Sequence, residues 1–189
     1  MKKYAVETKK AIFINGQKMV DFELDNAFRT KHGIVGYNKN KIYLFYKNEQ
    51  IKIFTNLTVA SYPDTGEVFE VVNPKTNEKG LLKEDGSIIV PVEYDYVDYT
   101  FSKKVIYVEK KNQFGAYNFS GKVLLSCTYD NLTFQNECII AEKNFKFGLY
   151  SYTGKELLPV KYDSIDSQGW KHLFYVKITG LTGLFFKKG

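Results

Sequence analysis

Apolar and polar residues alternate along this chain in short runs, and glycine or polar clusters interrupt the runs every few residues. Leu149-Tyr150-Ser151-Tyr152 is one such run; a turn at Thr153-Gly154-Lys155 follows, and Glu156-Leu157-Leu158-Pro159 returns. A period of two puts alternate side chains on opposite faces of a strand, so two runs joined at a glycine predict a β-hairpin. A more continuous apolar run follows each hairpin: Val105-Ile106-Tyr107-Val108, Cys138-Ile139-Ile140-Ala141 and Leu173-Phe174-Tyr175-Val176. Each of these passes through a polar turn (KKNQFG, KNFKFG, ITGLTG) into the next hairpin. The pattern predicts an antiparallel meander of four short strands per stretch.

The stretches repeat one another. GLLKEDGSIIVPVEYD starts at Gly80, GAYNFSGKVLLSCTYD at Gly115 and GLYSYTGKELLPVKYD at Gly148. A second glycine follows at a fixed offset (Gly86, Gly121, Gly154), and a Tyr-Asp pair closes each copy (Tyr94-Asp95, Tyr129-Asp130, Tyr162-Asp163). A recurring period of about 35 residues marks a tandem-repeat architecture. The second glycine supplies the positive φ of a tight turn. Pro91 and Pro159, with Ser126 in the third copy, are expected to end the returning strand, because proline cannot donate to a ladder. Recurrence assigns the aspartates to backbone hydrogen bonds at a bend and the tyrosines to an internal aromatic ladder.

The earlier residues fit the template loosely. Ala11 to Val20 resembles the hairpin, with Asp21 to Leu24 as the bend after it. Ile42 to Tyr46 and Gln50 to Phe54 form a second hairpin, Glu67 to Val72 leads into Gly80, and Thr55 to Gly66 departs most. Gly183-Leu184-Phe185-Phe186 opens one further unit. Residues 1–189 therefore read as a single repeat domain: two degenerate repeats over 1–79, then three clear repeats and a terminal strand over 80–189. Six strand-into-glycine junctions on five connectors predict an open stacked array of hairpins, with a small β-propeller as the alternative.

Composition agrees with an all-β chain. It holds 15 Tyr and 15 Phe but only 2 Met among 189 residues, which favours strands over helices. No apolar run is long enough to span a bilayer and the first residues are too charged for a signal peptide, so a cytoplasmic protein is expected. In that compartment Cys127 and Cys138 are expected to be reduced. The net charge of +6 comes from scattered lysines at predicted hairpin ends and strand edges, where lysine discourages edge pairing.

The unit G-h-h-x-x-x-G-K-x-h-h-P-x-x-Y-D-x-h resembles the bacterial WG repeat family, clearly over residues 70–189 and in outline before that. The residue ahead of the repeat glycine, typically Trp or another aromatic in that family, is Phe114 and Phe147 in two copies but Lys79 and Thr182 in the others. The resemblance implies repetitive β-structure, bacterial origin and a non-catalytic binding role.

No residues suggest a reaction. His32 and His172 are isolated, no thiol or hydroxyl nucleophile sits in a known motif, and no metal or cofactor is expected. The loops that break the repeat are the expected contact surface: Ser61 to Gly66, Tyr99 to Lys104, Phe134 to Glu137 and Ser167 to His172. Trp170, Lys171, His172, Tyr62, Asp64, Phe101, Lys103 and Lys104 are the candidate partner-binding residues, since aromatic and basic side chains dominate interface energetics. A protein partner is the first expectation, in its sharper form a toxin neutralised by an immunity protein. A glycan or cell-wall ligand and single-stranded nucleic acid are the alternatives.

Overall fold

The structure is a computed structural model that describes residues 9–47, 49–62, 67–100, 105–167, 169 and 172–187. It is all-β and contains no helix among those residues. Two compact units divide it, residues 1–93 and 94–189.

In the first unit β1 (Lys10–Ile14) and β2 (Gln17–Leu24) pair as a hairpin turning at Asn15-Gly16. A four-stranded sheet follows, β3 (Asn26–Arg29), β4 (Gly33–Tyr37), β5 (Lys41–Tyr46) and β6 (Glu49–Thr55), in sequence order. The next sheet has β7 (Thr58–Ser61), β8 (Val68–Val72), β9 (Lys79–Lys83) and β10 (Ile88–Tyr94). The second unit holds β11 (Tyr96–Thr100), β12 (Val105–Lys110), β13 (Gln113–Asn118) and β14 (Val123–Tyr129) as one sheet. β15 (Asn131–Gln135), β16 (Cys138–Lys143), β17 (Lys146–Ser151) and β18 (Glu156–Tyr162) form another, and β19 (Ser164–Asp166), β20 (Leu173–Ile178) and β21 (Leu181–Phe186) the last. The expected tandem meander is what the structure shows, and none of the six sheets closes into a barrel.

Within each unit the core lies between successive sheets. β16 is buried on both faces because alternate residues serve different neighbours. Ile139 and Ala141 pack with Ala116, Leu124 and Leu125 of the preceding sheet, whereas Cys138 and Ile140 pack with Ile165, Phe174 and Val176 of the following one. β5 does the same, sending Ile42 and Leu44 toward Phe69 and Val71, and Tyr43 and Phe45 toward Ile12 and Val20. A single repeat cannot bury both faces of its middle strands, so neighbouring copies stabilise each other.

Three expectations change. Pro91 and Pro159 do not end their strands; β10 and β18 run through them. The pairing of β17 with β18 shifts register between Phe147↔Tyr162 and Leu149↔Leu158, so Pro159 sits in a bulge of an outer strand, where a missing N–H costs no ladder bond. The bulge explains the first glycine of the repeat. A Cβ on Gly148 would lie 2.7 Å from Val160 Cγ2 and 3.0 Å from its backbone nitrogen, and one on Gly115 2.8 Å from the Leu125 carbonyl. Asp21 to Leu24 is strand and not a bend; the bend falls at Asp25.

The tyrosines form cross-repeat pairs and not a continuous ladder. The Tyr94 hydroxyl meets that of Tyr117 at 2.6 Å with the rings edge to face, and Tyr129 donates to Tyr150 at 3.1 Å in the same geometry. The Tyr150 hydroxyl is consequently hard to ionise, pushed up by burial first and by Tyr129 second. The second glycines behave as expected: Gly86, Gly121 and Gly154 have φ of 77°, 84° and 82°.

Candidate functional site

The repeat aspartates do bond backbone N–H groups, but far along the chain. Asp95 Oδ2 accepts from Lys111 N at 2.6 Å, Asp130 Oδ2 from Asn144 N at 2.6 Å and Asp163 Oδ2 from Thr179 N at 2.7 Å. Each acceptor holds a turn whose residues have positive φ. These carboxylates are engaged in architecture. Lys146 also pairs with Asp163 and, ahead of the Thr179 N–H, holds its carboxyl below the ordinary value.

Of the candidate contact residues, Trp170, Lys171, Asp64, Phe101, Lys103 and Lys104 lie outside the described residues. His172 is half-buried; its ring lies 6.4 Å from that of Phe186, and its carbonyl accepts from Lys187 N at 2.8 Å, extending the β20–β21 pair. Tyr62 is exposed and stacks on another aromatic side chain. Its ring lies flat on Phe28, with centroids 3.8 Å apart and planes 5° apart.

Phe28 sits on β3 and also meets Tyr37 and Phe69 edge to face at 6.4 and 6.0 Å. It lines a groove of about 230 Å³ whose walls are β1, β3 and β4, with Ile12, Phe13, Ala27, Arg29 and Ile34 as the other main contributors. Phe13 is 53% exposed, and Arg29, the only arginine in the chain, projects from the rim. An apolar trough with an exposed aromatic wall and a guanidinium at its edge can seat an apolar side chain and a carboxylate together. Sequence reasoning missed Phe13, Phe28 and Arg29; the lone arginine was the available signal.

A second arrangement braces this one. Glu84 is the one charged side chain that is buried among the described residues. It accepts from the His32 backbone N–H at 3.0 Å and faces His32 Nδ1 at 2.5 Å. Burial pushes its carboxyl up, but the contacts with His32 and the Thr30 side chain together outweigh burial and the net shift is downward. His32 lies in the β3–β4 connection, three residues after Arg29, so Glu84 fixes the segment from which the rim of the groove projects. In the repeat register Glu84 stands where Phe119 and Tyr152 stand in later copies. An acid at an aromatic position was a legible irregularity.

A polar recess of about 340 Å³ in the same unit is lined by Lys9, Glu23, Asp25, Asn38, Lys39 and Lys41. Its carboxylates are engaged: Lys9 pairs with Asp25, and Glu23 takes the Tyr43 hydroxyl, whose pKa burial and that carboxylate push up to about 12.

Residues 80–113 match the family described as WG containing repeat. The match supports a WG β-repeat over that stretch. The WG repeat is in general a non-catalytic module. The matched stretch contains Gly80, Gly86, Tyr94 and Asp95, and it also contains Glu84. At the position that gives the WG repeat its aromatic, Phe114 stacks on Tyr107 at 5.3 Å and Phe147 packs on the cluster around Leu149. No curated protein matches the chain. Two solved structures are similar to it at low identity. One is titled a crystal structure of the eukaryotic initiation factor (9% identity, TM-score 0.38, covering 99% of this chain and 55% of that one). The other is BBS1N in complex with ARL6DN (11% identity, TM-score 0.31, covering 83% and 64%). The chain spans less than two thirds of the length of either.

Other chemistry is limited. Among the described residues no group of three His, Cys, Asp or Glu side chains could hold a metal ion, and no helix is long and apolar enough to cross a membrane. Cys127 and Cys138 carry thiols, and burial pushes that of Cys138 up despite the opposing charge of Lys187. A thiol so placed is a poor nucleophile.

Proposed function

We propose that this chain is a non-enzymatic protein-binding module that takes an acidic partner at the groove lined by Phe13, Phe28 and Arg29. The observation that carries the reading is the apolar groove of β1, β3 and β4, with Phe13 exposed in its wall and the lone guanidinium at its rim. Rigid aromatics and arginine supply most interface energy when a partner excludes water from them, and the net charge of +6 favours an acidic partner. The repeat tyrosines Tyr94, Tyr129 and Tyr162 are buried or half-buried, and the first two bond the hydroxyls of Tyr117 and Tyr150, so they give no fully exposed row of rings for a glycan.

In its sharper form the partner is a toxin and the chain its cytosolic immunity protein. Co-expression with the product of the adjacent gene tests this. A co-purifying complex and protection from toxicity are expected, both lost in Phe28→Ala with Arg29→Glu; neither complex nor protection from the unaltered chain would sink the immunity reading. Retention of a complex by the double variant would remove the groove as the contact.

A further inference from the structure

The three sheets of residues 94–189 each pass from their second strand to their third through a two-residue turn: Lys111-Asn112 between β12 and β13, Asn144-Phe145 between β16 and β17, and Thr179-Gly180 between β20 and β21. All six residues have positive φ, from 48° to 80°. That is the geometry of a type I′ turn, which suits asparagine and glycine. The second place is held by Asn112 and Gly180 in two of the turns and by Phe145, at φ 60°, in the other. A bulky side chain in this region crowds its own backbone, so phenylalanine is the costly choice of the three.

The ring gains nothing from its own fold in return. Phe145 is 87% exposed, more than any other large apolar side chain described, and it joins neither apolar cluster of this unit. The hairpin holds it in place all the same. Asp130 Oδ2 accepts from Asn144 N at 2.6 Å, and Lys146 pairs with Asp163, the residue that caps the next turn at Thr179 N. A second cost lies beside the ring. Lys143 and Lys146, both exposed, stand directly opposite each other where the strands enter the turn, whereas the same places hold Lys110 and Gln113 in the preceding sheet. Like charges opposite each other on paired strands repel. Strain that nothing in the fold offsets points to a contact made elsewhere.

We propose that the tip of the β16–β17 hairpin is an anchor: Phe145 enters an apolar pocket on a partner protein, and carboxylates at the rim of that pocket meet Lys143 and Lys146. Insertion takes the ring out of water, and the acidic rim relieves the repulsion between the two lysines. A rigid aromatic seated in a desolvated pocket is the common form of an interface hot spot, and complementary charge around it sets orientation and partner choice. A bilayer fits less well, because one ring and two lysines fall short of the amphipathic face, or the cluster of about four or more cations, that holds a protein on a membrane. A second copy of the chain fits less well too: the apolar groove of residues 1–93 has Arg29 in its lining and would set cation against cation. The anchor lies in residues 94–189 and does not rest on the reading of that groove.

The probe is the whole protein carrying the photo-cross-linker p-benzoylphenylalanine in place of Phe145, irradiated in its native cells, with the same group in place of Asn112 as the control. One protein is expected to be cross-linked from position 145 and not from position 112, through a segment that sequencing shows to hold apolar residues and Asp or Glu. Affinity for that purified partner should fall at least about tenfold in Phe145→Gly and in Lys143→Glu, and should weaken as salt is raised. Phe145→Gly should meanwhile raise the melting temperature of the free protein by about 2–4 °C, because it removes the strain, so that lost binding is separated from lost folding. Cross-links from position 145 to lipid alone, to another copy of the chain alone or to nothing, an unchanged affinity in Phe145→Gly, or a fall in its melting temperature would each overturn the proposal.

Discussion

The two units hold their hairpin turns in different ways. In residues 94–189 each turn between the second and third strands of a sheet is capped from a distance, by the aspartate that ends the previous repeat: Asp95 on Lys111, Asp130 on Asn144, Asp163 on Thr179. In residues 1–93 the equivalent turns cap themselves. Asn38 Oδ1 accepts from Asn40 N and Lys41 N at 3.0 and 2.9 Å, and Asn73 Oδ1 from Lys75 N at 3.0 Å. Asp25 keeps its backbone bond to Tyr37 O, but its carboxylate pairs with Lys9 instead. A long-range cap fixes the spacing of everything between its two ends, whereas an Asx turn fixes only itself. The long-range caps therefore enforce the period of the regular unit, whereas the local caps of residues 1–93 enforce none.

The largest test of this contrast is to break the regular unit where its period is enforced. Gly148→Val puts a side chain against Val160 and the Leu158 carbonyl, both across the bulge. Overpacking of this kind costs about 2–3 kcal/mol, read as a loss of melting temperature in calorimetry. Gly16→Val in the locally capped unit meets nothing within 4 Å, although its φ of 79° still strains a branched residue. It should cost less than half as much. Equal losses would show that close approach is not what keeps the repeat glycine.

Next in size is Glu84, the buried acid at an aromatic position. Glu84→Gln keeps the shape and weakens the bonds to His32, for about 1–2 kcal/mol at neutral pH. Because the folded-state carboxyl lies below its ordinary 4.5, its contribution is present above that value and is lost as the pH falls through the folded-state value. Chemical denaturation from pH 7 to 3 should show the wild type converging on the variant. A constant gap across that range would mean the ionised carboxylate contributes nothing to the brace.

Much of the fold was legible because the code is local. Alternation and turn glycines placed the hairpins around Gly86, Gly121 and Gly154, where nearly every residue follows strand or turn chemistry. β3 and β4 were missed, since Asn26 to Arg29 and Gly33 to Tyr37 are short and carry two glycines in place of a sustained apolar run. The partners of Asp95, Asp130 and Asp163 were illegible for another reason. Recurrence indicated a backbone bond, but the turn that donates the N–H lies in the next hairpin, and no local pattern encodes that distance. The groove was hidden in the same way: Tyr62 looked like an aromatic in an irregular loop, and only folding sets it on Phe28, more than thirty residues earlier.

The smallest effect discriminates the two capping schemes most directly. Asp130→Ala removes the acceptor from the Asn144 N–H while leaving Asp130 N bonded to Glu142 O, so the strand pairing survives and the turn loosens. For an exposed bond the cost is about 1 kcal/mol, and Asn38→Ala should cost about the same. The difference lies in where each is felt. Native-state amide exchange in Asp130→Ala should quicken at the Asn144-Phe145 turn, remote in sequence from the substitution. Exchange in Asn38→Ala should quicken only at Asn40 and Lys41, within the turn itself. If Asp130→Ala changed exchange only around residue 130, the aspartate would be a local bend residue after all, and the period of the regular unit would need another cause.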